Sequence, residues 1–327
     1  MKRCAALVLI LCFLTIPALA GSEDALGLYT ELTEEQAAEE SAAVAEVLEL
    51  LVEPDMTDGE IATVLHDWVV LSTRYALTYY RDMSYGALVQ HYAICRGYAR
   101  GYQVLAQAAG LDSVYTFSVP LLHAWVLSEL DGSYYCVDPT WDDDHKERIG
   151  FVNHRHFFFT TATEQQFTHY GEDTALIAEG GLYELAPWRS AVTRVIFYGD
   201  WCYYINTDYE LIRCDRQSWE TEVLYTLEER WDGYVDANGN EWPSSGLILL
   251  HNKLWFNSST AIYSISLKGN RLKSRLTVTG EDGLICGIDV RDGTIKYSLA
   301  TEAQQSDYEL LDSGINAESA WGYLPDA

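Results

Sequence analysis

Apolar residues recur every three or four positions through the first third of the chain, which is the period of amphipathic helices. Residues 22–53 form the first such stretch, and residues 33–36 have the spacing of a capping box within it. A second capping box at residues 57–60 opens a predicted helix that runs to about Tyr75. The same period predicts further helices at residues 84–90 and 95–109.

Beyond Gly110 the apolar period changes from near four to two, which is the alternation expected of β-strands. The dipeptide Asp131-Gly132 is a hairpin-turn signal, so the strands on either side of it are expected to pair. Helices followed by antiparallel strands predict an α+β domain over residues 57–172. The predicted strands of this domain lie at residues 113–119, 123–130, 133–138 and 157–159.

Beyond Pro187 the sequence is rich in strand-forming and aromatic residues, and it contains a weak repeat. Each unit has two strand-like pieces around a turn, and three units are fewer than a closed propeller usually has. We therefore predict an all-β domain over residues 188–327, which is either a propeller-like fragment, a sandwich or a meander. The repeat units begin at Ile196, Ile248 and Ile288.

Residues 1–20 have the pattern of a cleavable secretory signal peptide. Two basic residues precede an apolar run over residues 5–16, which is too short to span a bilayer. A small-x-small site follows, with the cut predicted after Ala20. We therefore expect a secreted, extracellular protein without a membrane span, in which residues 21–56 form an N-terminal helical segment.

The chain carries 21 basic and 49 acidic residues, a formal net charge of −28 at pH 7. A charge this negative repels nucleic acid and anionic lipid, so neither is an expected partner. The composition, 48% hydrophobic and 13% aromatic, is that of a globular protein long enough for two cores.

Seven cysteines are present, two of them in the predicted signal, and the remaining odd number leaves at least one thiol unpaired in a monomer. Cys202 and Cys214 fall opposite each other if residues 201–215 form a hairpin centred on Asp208. We expect them to form a disulfide across a non-hydrogen-bonded pair, and two independent thiols are the alternative. This pairing leaves Cys95, Cys136 and Cys286 free.

Cys95 lies where a loop enters a predicted amphipathic helix, with Arg96 and Arg100 just downstream. A helix N-terminus and nearby positive charge both favour the thiolate, which is the nucleophilic form of cysteine. A buried, inert cysteine is the competing interpretation of this residue taken alone, because free cysteine is among the most buried residue types.

His123 and Asp138 complete a candidate triad with Cys95. His123 begins one predicted strand and Asp138 ends the next, and reflection about the intervening turn brings His123 near Asp138 or Pro139. A carboxylate beside an imidazole fixes its tautomer and supports its charged form. We therefore predict Cys95 as the catalytic nucleophile, His123 as the base and Asp138 as the orienter.

Three segments in this order resemble the bacterial transglutaminase-like superfamily. They are residues 92–99 (YAICRGYA), 123–125 (HAW) and 135–143 (YCVDPTWDD). The similarity spans about residues 58–170, and one departure is Val126, where the family often has asparagine. The resemblance implies a papain-like, transglutaminase-like core, acyl transfer through a cysteine thioester, and the same three catalytic residues.

By this resemblance we expect a cysteine-dependent enzyme that acts on amide bonds of proteins or peptides. It is a peptidase or amidase if the thioester passes to water, which we favour, and a protein-glutamine transglutaminase if it passes to an amine. The alternative is a non-enzymatic cell-surface or extracellular binding protein, whose β domain contacts a cell-wall or extracellular partner through aromatic residues that equally suit a β core. Those aromatics are Trp201, Tyr203, Tyr204, Trp255 and Phe256.

We expect no cofactor and no metal ion. His154 and His156 share one face of a strand as a possible metal pair, but two ligands without a third are usually a polar strand face. The acidic run at residues 142–144 is more typical of a solvated turn. For an oxyanion, the backbone N–H of Cys95 is the first predicted donor, and the second is sought among Gln90, His91 and Tyr92.

Overall fold

The structure is a computed structural model. It describes residues 31–78, 80–143, 149–162, 169–171, 173–227, 245–279, 283–300 and 309–318. The predicted signal peptide at residues 1–20 and Asp144 lie outside the described residues. The division into domains at 57–172 and 188–327 stays a prediction.

Five α-helices lie in the described part of the N-terminal half. Both capping boxes are confirmed, because the Thr33 and Thr57 hydroxyls accept from backbone N–H groups three residues on. The second helix ends earlier than predicted, because Arg74 and Tyr75 leave it to pair with a neighbouring strand. No described helix has both the length and the hydropathy needed to cross a bilayer. The helices are α1 Glu34–Leu51, α2 Asp58–Ser72, α3 Ser84–Leu88, α4 Cys95–Ala108 and α5 Pro139–Asp142.

In the described residues, two sheets accompany these helices. Strands β1 and β2 form a short parallel pair, and β3 to β6 form an antiparallel sheet in sequence order. Asp131 and Gly132 both adopt positive φ between β4 and β5, which confirms the predicted hairpin turn. The strands are β1 Arg74–Tyr75, β2 Tyr92–Ala93, β3 Ser113–Ser118, β4 His123–Leu130, β5 Ser133–Val137 and β6 Phe157–Phe159.

The described residues of the C-terminal part form three antiparallel sheets, each following the chain strand by strand. Each of the three predicted repeat units is a hairpin with a two-residue turn at the start of one sheet, so the repeat is confirmed. No sheet closes into a barrel in the described ranges, and a propeller-like arrangement of the three sheets stays a prediction. The strands are β7 Ile196–Tyr198, β8 Trp201–Ile205, β9 Glu210–Asp215, β10 Thr221–Thr226; β11 Leu247–Leu250, β12 Lys253–Asn257, β13 Ala261–Ser266, β14 Lys273–Thr277; β15 Leu284–Arg291, β16 Thr294–Ala300 and β17 Glu309–Asn316.

A segment that follows α5 inserts among the C-terminal sheets. The Ile149 N–H donates to the Ser298 hydroxyl at 3.1 Å, and Phe151 joins the apolar core of the three sheets. Gly150 has a positive φ of 79°, and a Cβ there would lie 2.1 Å from the Ile288 carbonyl oxygen. Only glycine fits this close backbone approach, so the two halves of the chain interlock here.

The main apolar core of the helical part continues through Trp188 and Val195 into the first C-terminal sheet, where it includes Tyr204 of β8. Trp188 is 1% exposed, and its indole N–H donates to the Thr63 hydroxyl of α2 at 3.1 Å. The connection between the two parts of the chain is therefore a packed junction with its own hydrogen bond.

Trp188→Ala should lower the free energy of unfolding by about 3–5 kcal/mol, because it leaves a large cavity at this junction and the Thr63 hydroxyl loses its donor. Leu185→Ala is the matched control, since Leu185 is 77% exposed three residues away and should change stability by less than about 0.5 kcal/mol. Urea unfolding of both variants checks this, and equal midpoints would contradict the packed junction.

The predicted opposition of Cys202 and Cys214 is confirmed, because they are register partners between β8 and β9. The predicted disulfide is not formed, and both thiols are free and hydrogen-bonded to each other. The Arg216 N–H donates to the Asp200 carbonyl oxygen, and the Asn206 N–H donates to the Glu210 carbonyl oxygen. Each of these hydrogen-bonded pairs lies an even number of residues from the cysteines, and the two types of pair alternate along antiparallel strands. That alternation makes the cysteines a hydrogen-bonded pair rather than the predicted non-hydrogen-bonded one, and side chains lie farther apart there.

Candidate active site

Cys95 is the first residue of α4, with Ile94 as its N-cap. Ile94 has no side chain that accepts from the N–H groups of the first turn, and the thiol lies at the positive end of the helix dipole. A Cβ on Gly97 would lie 2.4 Å from the Arg81 carbonyl oxygen, so glycine lets this first turn approach the loop before α3. Cys95 itself is 6% exposed, and its Sγ is 3.9 Å from the Leu122 carbonyl oxygen.

His123 and Asp138 meet as the sequence predicted. The β4–β5 hairpin places the His123 Nε2 atom 2.6 Å from the Asp138 Oδ2 atom. The His123 ring also hydrogen-bonds Cys95. Because the Nε2 atom contacts the carboxylate, Nδ1 is the ring nitrogen left to hydrogen-bond the thiol. The structure therefore brings Cys95, His123 and Asp138 together in one chain of contacts.

The groups around His123 favour the charged form of its imidazole. Burial lowers the pKa of His123, but the charge and hydrogen bond of Asp138, with the contact to Cys95, outweigh burial and raise that pKa to about 10. Burial likewise raises the pKa of Asp138, but its charge interaction and hydrogen bond with His123, together with His169, hold it far below its usual range. An imidazolium between a carboxylate and a thiol stabilises the thiolate form.

Aromatic rings enclose the His123 imidazole. Trp141 stacks on it with centroids 4.9 Å apart, and Trp125 stacks at 5.9 Å. Flat contact with an indole face stabilises a cationic ring and keeps water from its faces. Trp125 is fully buried, so it shields this side of the imidazole from bulk solvent.

Asp138 is also the N-cap of the short helix α5. Its Oδ1 atom accepts from the backbone N–H groups of Thr140 at 3.0 Å and Trp141 at 3.3 Å. The Pro139 ring at the first helical position needs no hydrogen-bond acceptor for its nitrogen. The start of α5 therefore holds the Oδ1 atom of Asp138, and the Oδ2 atom accepts from side chains.

A second buried cluster of histidines and aspartates lies at the other end of α5. Asp142 in α5 contacts His66 of α2 at 3.2 Å and His156 at 3.0 Å. Asp67 contacts His66 at 3.0 Å and His154 at 2.7 Å. We call these five residues the junction cluster, because it also reaches the chain that leads into the first C-terminal sheet.

Two backbone bonds make that connection. The Val195 N–H donates to Asp67 at 2.7 Å, and the His154 ring lies 3.1 Å from the Ala191 carbonyl oxygen. Burial lowers the pKa of His66, but Asp142 and Asp67 outweigh it and raise that pKa to about 9. Burial raises the pKa of Asp67, but His154 and His66 outweigh it and lower that pKa to about 2. The junction cluster is thus a buried ionic network.

Two groups of described residues bring three metal-ligating atoms within 4.8 Å of one another. Their direct contacts, between 2.6 and 3.0 Å, are hydrogen-bond lengths. Ligands bound at about 2.0–2.1 Å around a tetrahedral zinc ion lie about 3.4 Å apart. Hydrogen bonding accounts for both groups. His154 and His156, considered as a metal pair on one strand face, lie before β6 and contact different aspartates. The groups are His66, Asp67 and His154, and His123, Asp138 and His169.

The structure narrows the candidates for a second oxyanion donor. The backbone N–H of Gln90 donates to the Tyr85 carbonyl oxygen, and the His91 ring hydrogen-bonds the Ser72 backbone. The Gln90 N–H is therefore committed elsewhere, whereas the His91 Nδ1 atom has no hydrogen-bond partner among the described residues, and Tyr92 belongs to β2.

Most of the aromatic residues considered for a binding surface on the C-terminal sheets are not accessible for binding. Four of the five aromatics considered for it are buried in the apolar cores, and Trp201 is covered by the Arg213 guanidinium, 4.3 Å from its ring. The buried four are Tyr203, Tyr204, Trp255 and Phe256.

No protein-family model matches the chain, and no curated protein matches it. Several solved structures are similar over part of it. One described as a TGase is 13% identical with a TM-score of 0.30, covering 34% of this chain and 34% of that one. A candidate cysteine protease from Cytophaga hutchinsonii is 16% identical with a TM-score of 0.27, covering 38% of this chain and 45% of that one.

A candidate protease from Parabacteroides distasonis is 13% identical with a TM-score of 0.25, covering 31% of this chain and 25% of that one. This chain thus spans less than half the length of each of the three structures. Similarity at this level identifies no family and no activity, so the interpretation of the site rests on its own geometry.

Proposed function

We propose that the protein is a cysteine-dependent acyl-transfer enzyme acting on amide bonds of proteins or peptides. The observation that carries the proposal is the chain of contacts from Cys95 through His123 to Asp138. The thiol lies at a helix N-terminus, the imidazole is 2.6 Å from a fully buried carboxylate, and the imidazole also contacts the thiol. These are the nucleophile, base and orienter that cysteine acyl transfer requires.

The proposed reaction begins from the Cys95 thiolate and the His123 imidazolium. The thiolate attacks the amide carbonyl carbon, and the carbonyl oxygen becomes an oxyanion. When the C–N bond breaks, His123 gives its proton to the departing amine nitrogen, and the acyl group remains as a thioester on Cys95. Asp138 stays ionised throughout and holds the imidazole in place.

Neutral His123 then removes a proton from the acceptor, which attacks the thioester. Water as the acceptor gives a carboxylic acid, and a primary amine gives a new amide. Cys95 leaves as the thiolate, and the proton on His123 restores the ion pair. We propose water as the principal acceptor, which makes the enzyme a peptidase or amidase.

We further propose that the enzyme is secreted, since residues 1–20 have the pattern of a signal peptide. The proposed substrate is then an extracellular or cell-wall protein, and the C-terminal sheets are the proposed contact with it. A net charge of −28 favours basic over acidic protein surfaces as partners.

A covalent probe tests the assignment of the nucleophile. Wild-type protein treated near neutral pH with a peptide-like vinyl sulfone should carry the label on Cys95, located by peptide mapping. Cys95→Ala should carry none, and Cys136→Ala should label as the wild type does, since Cys136 is fully buried in β5. Faster labelling of Cys136 than of Cys95 would sink the assignment.

A further inference from the structure

Asp138 is contacted by a second histidine that the three-residue mechanism does not use. The His169 Nε2 atom lies 2.9 Å from the Asp138 Oδ2 atom, the same oxygen that His123 Nε2 approaches to 2.6 Å. With the Thr140 and Trp141 N–H groups on Oδ1, four donors surround one fully buried carboxylate. The acceptor positions of this carboxylate are therefore filled.

The position of the His169 ring is fixed on several sides. His169 is fully buried, and its ring centroid lies 4.4 Å from that of Trp141 and 4.8 Å from that of Trp125. Phe159 contacts it at 5.3 Å from a third direction. The same two tryptophans stack on His123, so both imidazoles are set against Asp138 by one aromatic cluster.

Rotation of the carboxylate about the Cβ–Cγ bond moves both oxygens, and the two backbone donors oppose it only from the Oδ1 side. Rotation would carry Oδ2 away from His123, and the imidazole would lose its tautomer control and its countercharge. A donor fixed on Oδ2 opposes this rotation, because leaving its contact would strand a buried N–H group.

We propose that His169 is a positioning residue, which locks the Asp138 carboxylate toward His123 and so maintains the imidazolium–thiolate pair with Cys95. The expected effect of His169 on turnover rests on the proposed function. The expected effect on the reactivity of the Cys95 thiol is independent of any substrate.

The test uses His169→Leu, which removes the donor, and His169→Gln, whose amide N–H can reach the same oxygen. The measurement is the rate of Cys95 alkylation by iodoacetamide across pH 4 to 10, with the modified peptide quantified by mass spectrometry. Tyr170→Ala is the control, because Tyr170 is the next residue and its side chain is half exposed.

His169→Leu should slow alkylation of Cys95 at pH 5 about tenfold or more, because the thiol loses its positioned imidazolium partner. His169→Gln and Tyr170→Ala should retain the wild-type profile. Turnover of an amide substrate should fall about 10- to 100-fold in His169→Leu with KM unchanged, because the base is misplaced while substrate contacts remain.

A folded His169→Leu protein with the wild-type alkylation profile would overturn the inference, and so would a folded His169→Gln protein that behaves like His169→Leu. Thermal melts of each variant establish that it is folded. Wild-type Cys95 that alkylates no faster than Cys136 would instead refute the proposed function, so the two failures are distinguishable.

Discussion

Asp138→Asn is expected to lower turnover of an amide substrate by about 10³- to 10⁴-fold while the protein remains folded. The amide oxygen can still accept the Thr140 and Trp141 N–H groups, so the start of α5 is preserved. The amide has no negative charge, however, and its NH₂ group facing Nε2 would favour the wrong tautomer of His123. The pKa of His123, raised to about 10 by Asp138 and Cys95 against the effect of burial, would fall.

Steady-state kinetics on purified Asp138→Asn protein checks this expectation, with a circular dichroism spectrum to establish folding. Asp112→Asn is the matched control, because Asp112 is exposed and its carboxylate accepts only a surface hydrogen bond from Tyr134 at 3.0 Å. Asp138→Asn turnover within tenfold of the wild type would mean that this carboxylate does not orient the base.

The second large effect is expected in stability. Asp67→Asn should lower the free energy of unfolding by about 3–5 kcal/mol, because it removes the buried carboxylate that contacts both His66 and His154 and leaves only Asp142 beside His66, whose pKa is raised. It also weakens the acceptor for the Val195 N–H, which lies 2.7 Å from Asp67. Asp55→Asn removes an exposed ion pair with Arg216 and should cost no more than about 1 kcal/mol.

The pH dependence of stability gives an independent measure of the junction cluster. The folded-state pKa of His66 is raised to about 9, so its contribution is complete below about pH 6.5 and is lost as the pH rises through 9. The folded-state pKa of Asp67 is lowered to about 2, so its contribution is present above about pH 3.9 and is lost as the pH falls through 2.

Urea unfolding of the wild type should therefore show stability falling between pH 6.5 and 9, and the same titration of Asp67→Asn should be flatter. Parallel curves for the two proteins would show that Asp67 and His66 are not linked as the structure has them. An Asp67→Asn protein as stable as Asp55→Asn would contradict the buried network itself.

The sequence predicted those parts of the site that depend on local signals. The turn at Asp131-Gly132 sets the register of β4 and β5, which continues to Asp138 opposite Trp125 and so leaves His123 two residues away on the same face of the hairpin. Cys95 was found because a helix start is readable from the apolar period. The capping boxes at Thr33 and Thr57 were found for the same reason, since a helix N-terminus is encoded within four residues.

The parts that were missed depend on contacts between distant segments. His169 reaches Asp138 from a segment with no periodic pattern, 31 residues along the chain. His66 and Asp67 occupy ordinary helical positions in α2, and nothing local marks them as partners of His154 or Asp142. The predicted disulfide between Cys202 and Cys214 was wrong, although their predicted opposition was right. The sequence does not reveal whether two opposed residues form a hydrogen-bonded or a non-hydrogen-bonded pair.

The most direct test of the central claim is to isolate the acyl-enzyme. Wild-type protein mixed with an activated acyl ester and quenched in acid within milliseconds should gain the mass of one acyl group, located on Cys95 by peptide mapping and removed by hydroxylamine as a thioester is. Cys95→Ala should gain no such mass under the same conditions. An adduct that survives hydroxylamine, that maps to another residue, or that persists in Cys95→Ala would contradict acyl transfer through this cysteine.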